Sequence, residues 1–170
     1  MNNLSKIAAI LLFVVASATA NAQTLKFGHI EFQALIPIMP EYAAAQTELE
    51  KFQQDLEEVL TELNEGYQQK LAEFEQLGTD VSDVRRTAKV TEIQEIGTRI
   101  ENYRTSAYQQ IEQKQTELLQ PIIEKARVAI EEVAKAQSLV YVFDSGLLLY
   151  KSNSSIDVLP LVREKLGISQ

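Results

Sequence analysis

Along the middle of the chain, apolar residues recur at alternating steps of three and four. Tyr42, Ala45, Leu49, Phe52, Leu56, Val59 and Leu63 follow that spacing, with Glu and Gln on the outside, which is the seam of a coiled coil. The register slips where two steps of four reach Tyr67 and Leu71, ahead of Phe74 and Leu77. Such a stutter relaxes the supercoil locally. Gly66 sits at the slip and is expected to soften or bend the helix, because glycine costs about 1 kcal/mol relative to alanine in a helix interior.

The stretch Leu77 to Asp83, LGTDVSD, is the one Gly-plus-polar cluster between the long helical segments. It predicts a turn, with Gly78 as a C-terminal cap and Asp80 or Ser82 as the next N-cap. A return helix follows through Ile93, Ile96, Ile100, Tyr103, Ala107, Ile111, Lys114, Leu118, Ile122, Ala126, Ile130 and Val133. Lys114 is its single polar seam position, and Pro121 is expected to kink it. The two arms, about 37 residues from Glu41 and about 38 from Asp83, would each be roughly 55 Å long. A two-helix hairpin of that length has a thin seam and cannot supply the core of an ordinary domain.

The pattern changes at both ends. In LKFGHI, Leu25 to Ile30, Leu25, Phe27 and His29 alternate with Lys26, Gly28 and Ile30 at the strand period of two. Pro37 and Pro40 then limit FQALIPIMP to a short turn before a helix start. Near the other end, LVYVF from Leu139 to Phe143 is apolar at every position, as a strand covered on both faces would be. Asp144-Ser145-Gly146 predicts a hairpin turn, LLLY from Leu147 a returning strand, and SIDVLPLVREKLG a short helix capped by Ser155, with Pro160 in its first turns and Gly167 as its stop. The expected fold is α+β: an antiparallel helical-hairpin arm, residues 41–121 with its tip near 78–83, on a small β-containing body formed by residues 23–40 and 122–170. One face of the predicted β-hairpin packs on the helix through Ile122 to Val133, and the other needs cover that one chain does not contain.

Composition narrows the function. Met1 to Ala22 carries a lone cation, Lys6, an apolar run from Ile7 to Ala18, and the small-residue exit Ala20-Asn21-Ala22, the features of a secretory signal peptide cleaved after Ala22. The run is well short of the roughly 20 residues that span a bilayer, so stable membrane insertion is not expected. There is no cysteine, which excludes disulfides, thiolate metal sites and a lipid anchor on an N-terminal cysteine. The full chain has a net charge of −8; without Lys6, 15 cations face 24 anions, which argues against nucleic acid or anionic lipid as a partner. Glu41 to Glu65 concentrates eight acids against one Lys, whereas Lys70 to Lys89 balances four of each sign.

Candidate chemistry is sparse. His29 is the only histidine and has no cysteine partner for nucleophilic catalysis. The pairs Glu57-Glu58 and Glu131-Glu132 point about 100° apart on their helices, and no glycine-rich phosphate loop is present. No cofactor and no metal site is expected, and nothing points to an enzyme. Asn153-Ser154-Ser155 matches a glycosylation sequon of the kind common by chance. Arg85, Arg86 and Lys89 form the one local basic patch, just past the tip, where cations oppose the helix dipole and are candidates for contact with a ligand.

The order of elements, together with LKFGHIEFQALI, PEYAAAQTELEKFQQDLEE and PIIEKARVAIEEVAKAQSLVYVFDSGLLLYKSNSSIDVLPLVREKLG, resembles the Skp, or OmpH, family of periplasmic chaperones. The resemblance implies a homotrimer whose β-regions share one body and whose arms enclose a cavity that holds unfolded outer-membrane β-barrel proteins without ATP. It also implies that the strands of two other chains cover Val140, Val142, Leu147 and Leu149, with Leu25 and Phe27 in the same trimer interface. Charge is the departure: well-known members are basic with cationic tips. A structural coiled-coil spacer or adaptor of the cell envelope, binding one folded partner, is the alternative that the residues leave open.

Overall fold

The computed structural model describes residues 25–168; the predicted signal peptide lies outside them. Strand β1 (Lys26–Ile30) is followed by one turn of helix α1 (Phe32–Leu35) and a 3-10 turn through Pro37. Helix α2 (Pro40–Glu75) then runs for 36 residues, opened by Pro40, whose fixed φ suits a first helical position. After the turn at 76–82, helix α3 (Asp83–Ala136) returns over 54 residues and passes through Pro121 without a break. Proline deletes one helical hydrogen bond there, and the next turns are anchored by buried Ile122, Ala126, Ala129 and Val133. Gly66 likewise interrupts nothing.

The antiparallel pairing of α2 and α3 can be followed from body to tip. Lys125 pairs with Glu41, Lys114 with Glu48 at 2.5 Å, the Tyr103 hydroxyl donates to the Leu56 carbonyl at 3.3 Å, and Lys70 meets Glu92 at 3.0 Å. Lys114, the polar residue in the predicted seam, is thus satisfied by a carboxylate of the other helix. Most seam residues remain half-exposed; Ala45, Leu49 and Ile100 are the buried exceptions outside the body helix turns. Two helices alone cannot enclose a seam.

The sheet corrects the predicted β-hairpin. Strand β2 (Leu139–Asp144) lies parallel to β1, and the short β3 (Ile156–Asp157) lies parallel to β1 on its other edge, in the order β2-β1-β3. The whole arm is therefore the crossover between the first two strands, as parallel pairing requires. Residues 145–147 form a 3-10 turn, with the Asp144 carboxylate accepting from the Gly146 amide at 3.0 Å. The LLLY segment is not a strand, and Leu147, Leu149 and Tyr150 stand out in solvent. Helix α4 (Leu159–Lys165) starts later than predicted, with Asp157 rather than Ser155 accepting from its first amide, at 3.0 Å, and with Pro160 in its first turn. Gly167 follows it at φ +70°, the left-handed stop that glycine favours.

The core lies where these pieces meet. Ile30, Leu35, Met39, Ala45, Val158 and Val162 pack around the buried turns of α3. Gly28 packs closely on this face: a Cβ there would stand 2.7 Å from Leu139 Cδ1, 3.2 Å from Val158 Cγ1 and 3.3 Å from Val142 Cγ2, so the Leu139 side chain would have to shift.

Candidate functional site

Two surfaces remain after the core is assembled. The first is the outer face of the sheet. Phe27, Tyr141 and Phe143 share it, 39%, 60% and 44% exposed, with the Phe27 and Tyr141 rings nearly parallel at 6.4 Å between centroids and Phe143 at 5.9 Å from Tyr141. Leu25 and Tyr150 line a groove with Phe27 and Phe143, and Leu147 and Leu149 are exposed on the segment after β2. A contiguous apolar face of this kind marks an interaction surface.

The residues predicted for a trimer interface do not all share that face. Leu25 and Phe27 do, and Leu147 and Leu149 stand exposed on the segment after β2. Val140 sits where the register skips between Leu139 and Tyr141; it lines a groove of about 620 Å³ with Ile30, Phe32, Ile123, Arg127 and Ile130. Val142 faces the other way, against Gly28 and the core. Tyr141 and Phe143, absent from the predicted set, take its place. Their period-two match to Phe27 and His29 was the available signal.

The second surface is the arm. At its outer end Lys70 and Glu73 of α2 and Lys89 and Glu92 of α3 form a closed ring of four ion pairs, between 2.9 and 3.2 Å. Hydrogen bonds to Glu73 and Glu92 raise the affinity of both lysines for their protons, and those from the lysines depress both carboxyls. Lys89 is therefore committed within the arm. Arg86 lies over the Phe74 ring at 5.8 Å and reaches the Gly78 carbonyl at 3.4 Å, a cation–π contact that also ties it down. Of the predicted basic patch, Arg85 alone is exposed without such a partner among the described residues. Val59, Val84, Val90 and Tyr108 are isolated exposed apolar side chains along the same arm.

The ring predicts how the tip responds to pH. Because the Glu73 and Glu92 carboxyls are depressed below 4.5 in the folded arm, their contribution is complete above that value and lost as pH falls through the lower folded one. The raised lysines keep theirs up to at least 10.5. Amide protection near the tip, corrected for intrinsic exchange, should fall below about pH 4 more in the native chain than in a Glu73→Gln, Glu92→Gln double variant.

A long two-helix arm carried on a small parallel-sheet body with an apolar outer face defines an arm-and-body fold. The OmpH family, described as outer membrane protein (OmpH-like), matches residues 26–166, and the chain belongs to that family. Among solved structures, the crystal structure of an OmpH-like protein from Caulobacter crescentus CB15, assigned as an outer membrane chaperone, is similar in fold. It has a TM-score of 0.71 at 12% identity, covering 87% of each chain. No protein of curated description matches the sequence significantly. No helix among the described residues is long and apolar enough to cross a membrane.

Proposed function

We propose that the protein is an ATP-independent periplasmic holdase, delivered by a signal peptide cleaved after Ala22, that binds unfolded outer-membrane β-barrel proteins between the arms of a homotrimer. Membership of the OmpH-like family and an outer sheet face that one chain leaves uncovered support this reading. The observation that carries the holding activity is the arm surface, where apolar side chains such as Val59, Val84, Val90 and Tyr108 are exposed at several points along charged helices. A holdase has to cover client apolar surface weakly and at many points, so that the client neither aggregates nor is trapped. Spaced weak contacts on a shared scaffold add up to useful avidity, and each can release without nucleotide.

The test is suppression of aggregation of several unrelated unfolded barrel proteins by the purified chain. Suppression of all of them is expected; an adaptor for one folded partner would suppress none. Charge should contribute little to the holding, because Lys89 and Arg86 are already engaged and exposed attractions are screened beyond about 8 Å at physiological salt. A binding titration between low and moderate salt is expected to change affinity by only a few-fold. A loss of about a hundred-fold would show that charge dominates, since screened surface pairs contribute less than about 1 kcal/mol each.

A further inference from the structure

Among the described residues His29 is the one buried polar residue of the body, 6% exposed, and both of its ring nitrogens are engaged by the same segment of chain. Ser155 Oγ lies 2.9 Å from Nδ1, and Lys151 Nζ lies 3.0 Å from Nε2. An ammonium group has no acceptor, so Nε2 must accept from Lys151. The imidazole is then neutral, and its single proton sits on Nδ1 and is donated to Ser155. Apart from the Gly146 amide on the Asp144 carboxylate, the other hydrogen bonds between Ser145 and Ser155 stay inside the segment: the Leu148 amide to Ser145, the Ser155 amide to Ser152, and Ser154 to Ser152. Beyond it the chain is tied to β1 again by the Val158 amide on the His29 carbonyl and by β3.

From this geometry we propose that His29 is an acid-sensitive latch holding residues 148–155 against the sheet. When the imidazole gains a proton on Nε2, two donors stand where one donor and one acceptor stood, each carrying positive charge, with no acceptor between them. Lys151 is on the exposed segment and is the group free to leave, and the segment leaves with it. The charged groups on the surrounding elements are Lys151, Asp157 of β3, Asp144 of β2, Lys26 at the start of β1 and Glu31 just after its end. Asp157 lies opposite His29 in register and favours the protonated ring, but its carboxylate is held by the Leu159 amide; Asp144 is held by the Gly146 amide. Lys26 and Glu31 are exposed. The ammonium on Nε2 is thus the partner whose hydrogen bond protonation abolishes.

Release of the segment is a property of the single chain; its consequence, displacement of Leu147, Leu149 and Tyr150 from the assembly surface, rests on the proposed trimer. The experiment is hydrogen exchange on the full chain at about pH 8 and about pH 5, the span in which histidine side chains change charge, with α3 amides as the internal reference. Protection of residues 148–155, corrected for intrinsic rates, should fall at least about tenfold in the native chain between the two pH values. His29→Gln should show no such fall. Should that variant not fold, Lys151→Met decides, because removing the ammonium should largely abolish the fall. Unchanged protection in the native chain, or an equal fall in the variant that decides, overturns the latch. A chain that scatters as a monomer at both pH values would leave this test intact and overturn only the trimer.

Discussion

Replacing Tyr141 with Asp is expected to convert the proposed trimer into folded monomers. In the single chain Tyr141 is 60% exposed, stacked on Phe27 at the outer face of the sheet, so a carboxylate there stays hydrated and costs the monomer little. In a trimer whose body buries that face, the same carboxylate would be enclosed without a cation, at a cost of several kcal/mol in each chain. Val142→Asp makes the contrasting variant. Its side chain faces Gly28 and the core, so the charge should disrupt the body itself and abolish its cooperative unfolding transition. Light scattering and circular dichroism separate the two outcomes: Tyr141→Asp should lose mass but keep its helix signal and melting transition. A native chain that scatters as a monomer, or a Tyr141→Asp protein that remains a trimer, would remove the outer sheet face from the assembly.

That contrast shows where sequence pattern stopped being informative. The arm was legible because heptad spacing reports directly on which residues share a helix face, and even the lone polar seam residue, Lys114, found a carboxylate across the seam. In β2 every residue of LVYVF is apolar, so composition cannot say which ones face the core. The register skip at Val140 then breaks strict alternation, putting Leu139 and Val142 on one face although they are three apart. Strand direction is hidden for a related reason. An apolar run after a Gly-containing turn looks like the second half of a hairpin, whereas the actual third strand is two residues, Ile156 and Asp157, too short to carry a period. The partners that engage Lys89 and Arg86 at the tip, Glu73, Glu92 and Phe74, were not legible because they are set by how two helices meet rather than by local sequence.

The same division between arm and body dictates where the stability resides. Leu35 is fully buried at the end of α1 and belongs to the core cluster to which β1 contributes Ile30, α2 Ala45, α3 Ala126 and α4 Val162. Truncating it to Ala removes buried methyl groups and leaves a cavity that rigid neighbours cannot fill, which costs about 2–5 kcal/mol. Against the roughly 5–15 kcal/mol that holds an ordinary domain folded, that is a large fraction. Leu63, in the half-exposed seam of α2, offers the matched comparison. The same truncation there opens onto water and the helices can close up, so the expected cost is below about 2 kcal/mol, the lower end of the buried range. Urea unfolding of both variants at one protein concentration reads the difference as a shift in midpoint at constant slope, the equal concentration being necessary because assembly contributes to apparent stability. The Leu35→Ala midpoint should fall well below that of Leu63→Ala. Equal midpoints would mean that the arm seam carries as much of the fold as the body, and that the arms are not the weakly held part of the molecule.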